Sequence, residues 1–189
     1  MKISIIGYGK MGQQIQKIAL ERGHEIHAVI DADNWSQESI LGSDVAIEFT
    51  QPESAKKNMI NCFKANVPVV IGTTGWYADY DEVVLECENL EGALLASTNF
   101  SLGVNIFFEI NKKLATLMNL NTNYKPTITE THHIQKLDKP SGTAISLAEQ
   151  IIEKHESFKD WNLSDDLNTN DSISIESNRE TNVPGKHTV

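Results

Sequence analysis

The stretch Glu-Thr-His-His-Ile-Gln-Lys-Leu-Asp-Lys-Pro-Ser-Gly-Thr-Ala (130–144) gathers the residues best suited to chemistry. His132 and His133 are adjacent, Lys136 follows three residues on, and Ser141, Gly142 and Thr143 come next. A neutral imidazole passes a proton near pH 7. Lys136 offers a charged donor that can protonate a substrate or hold a carboxylate. Ser141 reads as the cap of a helix, so the N–H groups of Ser141, Gly142 and Thr143 suit a carboxylate as well as a phosphate. Neighbouring residues of a strand point to opposite faces, so His132 and His133 cannot share one role if the strand runs through both. The pair could be half a metal site. No third ligand stands at helical or turn spacing, and no metal is expected. Surface lysines and an ordinary helix start are the bland alternatives; what weighs against them is their co-occurrence within one short segment.

The elements that must carry this segment are legible from periodicity. Apolar runs at 3–6, 26–30, 45–49, 67–71 and 93–96 alternate with helical patterns at 11–22, 53–65 and 79–90. Continuous apolar strands between amphipathic helices predict a parallel sheet covered on both faces. The pattern then changes. Residues 103–120 predict a long helix, 127–133 a strand, 141–156 a helix, 157–171 a polar loop and 172–177 a half-exposed strand. The expected architecture is α/β. A Rossmann-like dinucleotide-binding domain spans 1–100, and an α+β substrate and oligomerisation domain spans 101–189.

Gly-Tyr-Gly-Lys-Met-Gly (7–12) follows the first strand and opens the first helix. Gly7 permits the tight turn, Gly9 lets backbone approach a pyrophosphate, and Gly12 lets helix and strand pack closely. A glycine-rich turn without a ligand is the alternative, and the flanking elements favour the dinucleotide. Asp31 ends the second strand and can accept hydrogen bonds from an adenosine ribose. Ala32 follows it, where an arginine would favour a 2′-phosphate. Lys10 offers a partial substitute, so NADH is expected to serve at least as well as NADPH. Gly72, Thr73 and Thr74 follow the fourth strand, and Ser97, Thr98, Asn99 and Phe100 the fifth, where open parallel sheets bind ligands. Each could also be a plain turn. Together, a proton donor beside a double anion site suits a small dicarboxylate facing a nicotinamide.

The 189 residues carry a formal net charge of −10, which disfavours nucleic acid and anionic membrane as partners. Cys62 and Cys87 make no disulfide framework and read as buried thiols of a reducing compartment. With no secretory signal and no apolar run of membrane-spanning length, the expected location is the cytoplasm. The chain ends on Pro-Gly-Lys-His-Thr-Val just as a further strand begins, so a fragment is expected.

The segment 130–144 resembles the catalytic stretch of the 4-hydroxy-tetrahydrodipicolinate (dihydrodipicolinate) reductase family, E-x-H-H-x-x-K-x-D-x-P-S-G-T-A. GYGKMG, EFTQPE, GTTGW and NFSLGVN also resemble family segments, in family order. The resemblance implies that His132 donates and accepts a proton and that Lys136 is a second donor. It implies that His133, with Gly142 and Thr143, grips a substrate carboxylate. It also implies that Gly7, Tyr8, Gly9, Lys10, Met11, Gly12, Asp31, Gly72, Thr73, Thr74, Ser97, Thr98, Asn99 and Phe100 meet NADH or NADPH. The implied reaction moves a hydride to a cyclic imine-enamine diacid and a proton to the neighbouring carbon, within a homotetramer built by the second domain's sheet. The chain departs from the family at Lys10 and Ala32, where arginine is usual or frequent, and at Glu48, where Asp is common. The short segment between Asp31 and Asp44 implies one missing strand-helix unit, and the family continues beyond the position of Val189. Two rivals stand beside this reading. One is another two-domain dehydrogenase, which has no reason to carry the His-His-x-x-Lys array. The other is a non-catalytic dinucleotide sensor, which would drop the proton donors.

Overall fold

A computed structural model describes residues 1–31, 34–121, 123–164 and 170–189, so Ala32 lies outside the described residues. The chain divides into two compact units, Met1–Thr98 and Asn99–Val189.

The first unit alternates β1 (Lys2–Ile6), α1 (Lys10–Glu21), β2 (Glu25–Ile30), β3 (Val45–Glu48), α2 (Pro52–Lys64), β4 (Val69–Ile71), α3 (Tyr80–Asn89) and β5 (Leu94–Ala96). All five strands are parallel, in the order β2-β1-β3-β4-β5. The apolar run of β1 shows why such a sheet needs helices on both sides. Ile5 packs with Ile3, Ile15 and Ala19 of α1, whereas Ile6 belongs to a second cluster with Met59 and Phe63 of α2 and Val83 of α3. Successive side chains leave a strand on opposite faces, so each face of β1 must find its own helix. Between β2 and β3 the described residues hold one 3₁₀ turn, Gln37–Ile40. The chain leaves β1 toward β2 on one side and β3 on the other. That reversal of strand order puts a crevice at the carboxyl ends of β1 and β3. Cys62 is buried and Cys87 only partly so, which corrects the expectation of two buried thiols. Burial first, and the charge of Glu48 second, push the Cys62 thiol up to about 12.

The second unit runs α4 (Leu102–Met118), β6 (Thr127–His133), α5 (Gly142–Lys154), β7 (Asp160–Leu163), β8 (Ser172–Glu180) and β9 (Lys186–Thr188). Its sheet has the order β7-β8-β6-β9, with β9 antiparallel to β6 and the other pairs parallel. Ile128, Ile173 and Ile175 form one core with Phe108 and Ala115 of α4 and Leu147 and Ile151 of α5. β7 corrects the expectation of an unbroken loop over 157–171. Only four residues long and rich in polar side chains, it has no periodicity of its own. Trp161 packs on the core, and the ladder to β8 completes the strand. Among the described residues no helix is long and apolar enough to cross a membrane.

Candidate functional site

At the carboxyl end of β1 the chain turns through Gly7, whose φ is +92°. A Cβ there would stand 2.0 Å from the Phe49 carbonyl oxygen, so glycine is required twice over. A Cβ on Gly12 would meet the Gly7 carbonyl oxygen at 2.0 Å, which shows how closely α1 lies on the turn. Gly9 differs, because a Cβ there meets nothing within 4 Å. Gly9 caps α1 with no side-chain hydrogen bond, and no acidic residue stands in the first turn. Its first amides are therefore uncompensated donors in a positive field, a place for an anion. Asp31 Oδ1 accepts the Tyr8 N–H at 3.2 Å, which ties the end of β2 to the glycine loop. One groove is lined by Gly7, Tyr8, Gly9, Asp31, Thr50 and Asn58 among others. A second is lined by Gly9, Lys10, Met11, Gly72, Thr73 and Thr74 with Phe49, Thr50 and Pro52. The structure thus brings together most residues expected to hold the cofactor.

The glutamate at the end of β3 organises these loops. Glu48 is fully buried. Its Oε1 accepts from the Thr50 hydroxyl and, at 2.9 Å, from the Asn58 amide, while Oε2 accepts from the Thr73 hydroxyl. Thr73 Oγ1 in turn accepts the Thr50 N–H at 2.7 Å. The sequence reading noted Glu48 only as a departure from the family and assigned it no role. Ser97 and Thr98 close the first unit, where Ser97 N–H donates to the Ile71 carbonyl at 3.4 Å. Asn99 and Phe100 belong to the second unit. Asn99 Oδ1 accepts the Ser101 N–H at 2.8 Å, and its amide reaches Thr143 Oγ1 at 3.5 Å.

In the second unit Glu130 and His132 are two apart on β6 and share the face that Ile128 turns toward the helices. Register supplies the rest. Glu130 lies between Ser177 of parallel β8 and His187 of antiparallel β9, and His132 lies beside Arg179. Glu130 is fully buried. Its Oε1 accepts the Ser177 hydroxyl, the Ser141 N–H at 3.1 Å and Arg179 Nη1 at 3.5 Å. Its Oε2 makes no hydrogen bond and lies 3.3 Å from His132 Nε2 and 3.6 Å from His187 Nε2. Burial pushes the Glu130 carboxyl up, but the His187 ring, Ser141 and Ser177 outweigh it and hold the group well below the carboxylate range. Desolvation, against the attraction of Glu130, lowers the pKa of His132 from its ordinary 6.5. Desolvation thus disfavours the charged form of the His132 ring.

Ser141 caps α5, its Oγ accepting the Ala144 N–H at 3.3 Å. The amides of Gly142 and Thr143 are left without intrahelical acceptors. Lys136 Nζ lies 2.8 Å from Asp138 Oδ1. The loop that carries it is tethered by Arg179, which donates to the carbonyls of Lys136 and Asp138. His133 points away from Glu130 by the strand's alternation, and its buried Nδ1 has no hydrogen-bond partner among the described residues. Ser177, Arg179 and His187 were missed because they reach β6 by register across three strands. Glu130 was readable as the same-face neighbour of His132. Helical or turn spacing from the histidine pair is the wrong place to look for a third ligand. Glu130, His132 and His187 offer ligand atoms within 4.8 Å of one another, the third delivered by β9 rather than by local spacing.

Comparison with known proteins places the chain in a family. Residues 1–100 match the family model described as dihydrodipicolinate reductase, N-terminus, and residues 103–189 the one described as dihydrodipicolinate reductase, C-terminus. The 4-hydroxy-tetrahydrodipicolinate reductase of Christiangramia forsetii is 47% identical over 190 aligned positions, covering 100% of this chain and 79% of that protein. The enzyme of the same name from Thermosipho africanus is 33% identical, covering 100% of this chain and 76% of that protein. A dipicolinate-bound dihydrodipicolinate reductase from Paenisporosarcina sp. TG-14 superposes with a TM-score of 0.70 at 26% identity, over 99% of this chain and 81% of that one. With both units matched in order by one family and the glycine loop and histidine segment built as above, the chain belongs to the dihydrodipicolinate reductase family.

Proposed function

We propose that the protein reduces 4-hydroxy-tetrahydrodipicolinate, or the dihydrodipicolinate formed by its dehydration, to tetrahydrodipicolinate with NADH or NADPH, a step of lysine and diaminopimelate synthesis. Family membership supports the activity. The observation that carries the division of labour is the Glu130 carboxylate. It meets the imidazole of His132 on one oxygen and the capping residue of α5 on the other. A proton-transfer group and a helix mouth suited to acid groups are thereby held as one piece. Residues 1–100 form the cofactor domain and 101–189 the substrate domain. Gly7, Tyr8, Gly9, Lys10, Met11 and Gly12 cradle the pyrophosphate, and Asp31 takes the ribose. Gly72 to Thr74 and Ser97 to Phe100 border the nicotinamide. A hydride passes to one ring carbon, and His132, backed by Lys136, delivers a proton to the neighbouring carbon. His133, Ser141, Gly142 and Thr143 hold the carboxylates. The carboxylate of Asp31 opposes a 2′-phosphate, so NADH serves at least as well as NADPH.

The enzyme works in the cytoplasm as a homo-oligomer, a tetramer by family resemblance. Exposed Ile106, Ile110, Leu114 and Leu117 along α4 support association, and sedimentation would measure it. The net charge of −10 speaks against nucleic-acid and anionic membrane partners. The test of function is NADH oxidation with freshly generated dihydrodipicolinate. His132→Gln and Lys136→Ala should each lower kcat by about 10²- to 10⁴-fold, the usual size of general acid-base catalysis, with the NADH Kd unchanged. NADH binding without turnover in the unaltered chain would favour a sensor. An equal loss of NADH binding in the variants would sink the assigned roles.

A further inference from the structure

We infer that Glu130, His132 and His187 form a three-ligand site for a divalent transition-metal ion of the zinc class, and that an ion held there takes His132 out of proton transfer. The inhibitory consequence rests on the proton-donor role given to His132 above; the metal site does not.

The argument begins with spacing. Tetrahedral zinc holds nitrogen and oxygen ligands at about 2.0–2.1 Å, which sets neighbouring ligand atoms about 3.3–3.4 Å apart. The three atoms here form a triangle of that size. His132 Nε2 to His187 Nε2 is 3.3 Å, His132 Nε2 to Glu130 Oε2 is 3.3 Å, and His187 Nε2 to Glu130 Oε2 is 3.6 Å. A triangle with such edges is one face of a coordination tetrahedron. Ser141 Oγ, 3.1 Å from His187 Nε2, lies beside that face.

A second observation concerns the burial of one vertex. Glu130 is fully buried, and its Oε1 is supplied with donors while its Oε2 has none. A buried carboxylate oxygen without a donor is costly unless something else meets its charge. Two imidazole nitrogens face that oxygen. The two nitrogens hydrogen-bond each other at 3.3 Å, and His187 Nε2 also meets Ser141 Oγ; a cation at the common point would replace those contacts and meet Oε2 as well. The Ser141 and Ser177 contacts on Oε1 would orient the carboxylate, as outer-shell donors do in metal centres.

Ligand chemistry narrows the ion. Arg179, 3.5 Å from Oε1, offsets the carboxylate charge, so a purely electrostatic attraction for magnesium or calcium is weak. Two imidazoles and one carboxylate suit zinc, cobalt or nickel better than hard oxygen-seeking ions. The histidine side chains are each 12% exposed, enough for an ion to reach them from solvent. Register delivers all three ligands: Glu130 and His132 are same-face neighbours on β6, and His187 is the cross-strand partner of Glu130 on β9.

The test uses the whole chain, freed of metal with a chelator and titrated with Co²⁺ by visible absorption and with Zn²⁺ by calorimetry. The expected result is one ion per chain, with the intense visible bands of a four-coordinate cobalt centre. His187→Gln and Glu130→Gln should each weaken binding by at least about 100-fold, more than the loss of an outer-shell partner costs. No binding tighter than about 1 mM, or variants that bind like the parent, would overturn the site. If a variant does not fold, X-ray absorption on the Zn²⁺ complex of the parent decides. Two imidazole shells support the site, and one or none overturns it. Turnover is read separately. Zn²⁺ should inhibit and chelator should restore. Full activity at saturating Zn²⁺ would overturn the inhibitory role, while loss of metal binding would leave the reductase reading intact.

Discussion

Replacing Gly9 by alanine separates what the glycine loop needs for folding from what it needs for a ligand. Gly9 has φ −71°, open to any residue, and a Cβ there meets nothing within 4 Å. As the cap of α1, alanine in place of glycine costs about 0.5–1 kcal/mol. The stiffer unfolded chain returns about 0.4–1 kcal/mol. These terms nearly cancel, so the melting temperature should barely move. A pyrophosphate approaching the α1 amides would feel the added methyl directly. Loss of one hydrogen bond to a charged group is worth about 1.5–3 kcal/mol, which is about a 10- to 100-fold rise in the NADH Kd. Fluorescence titration with NADH, beside a thermal melt, reads both quantities. Gly12→Ala is the contrast. Its Cβ would meet the Gly7 carbonyl oxygen at 2.0 Å, so stability should fall by about 1–3 kcal/mol together with affinity. A Gly9→Ala protein that binds NADH as tightly as the parent would show that the pyrophosphate does not cross the loop at Gly9.

Asp31→Asn removes the charge that opposes a 2′-phosphate while keeping an oxygen for the Tyr8 N–H. The ratio of NADH to NADPH affinity should shift toward NADPH by about fivefold, as expected for one close charge pair of ~1 kcal/mol. An unchanged ratio, measured by titration, would remove Asp31 from the ribose site. Glu130→Gln breaks a buried charged network and, in chelator, should cost about 2–4 kcal/mol at neutral pH by denaturant unfolding. The Glu130 carboxyl is held below its ordinary value of 4.5, so its contribution is fully present above that pH. It is lost as the pH falls further toward the folded-state value. Parent and variant should therefore converge in acid, and a gap that stays constant below pH 4.5 would refute the assignment.

The parallel sheet was legible because burial on both faces leaves a continuous apolar run, and Ile5 and Ile6 serve opposite faces as that run implies. The polarity of the histidine pair was legible too, since strand alternation alone separates His132 from His133. Where the reading failed, the information was not local. β7 is a strand because β8 lies beside it, and its own four residues carry too little pattern to say so. Ser177, Arg179 and His187 enter the site through the register of β8 and β9 on β6, and register is a property of pairs of segments. Spacing within 130–144 could reveal the candidate acting groups, but not those that hold them.

Those holding groups follow one plan in both units. Glu48 ends β3 and Glu130 lies near the end of β6, and each is fully buried. Each spends its lone pairs on donors from loops that must keep their place. For Glu48 these are Thr50, Asn58 and the Thr73 of the loop after β4. For Glu130 they are Ser177, Arg179 and the Ser141 that opens α5. A buried carboxylate is expensive unless every oxygen is met, so it tolerates only one arrangement of its donors. Glu48 meets that condition on both oxygens within the chain. Glu130 meets it on one oxygen and turns the other toward two imidazoles. The same device that fixes a loop in the first unit is thus left with one open valence in the second. That difference leaves one Glu130 oxygen without a hydrogen-bond donor where both Glu48 oxygens have theirs.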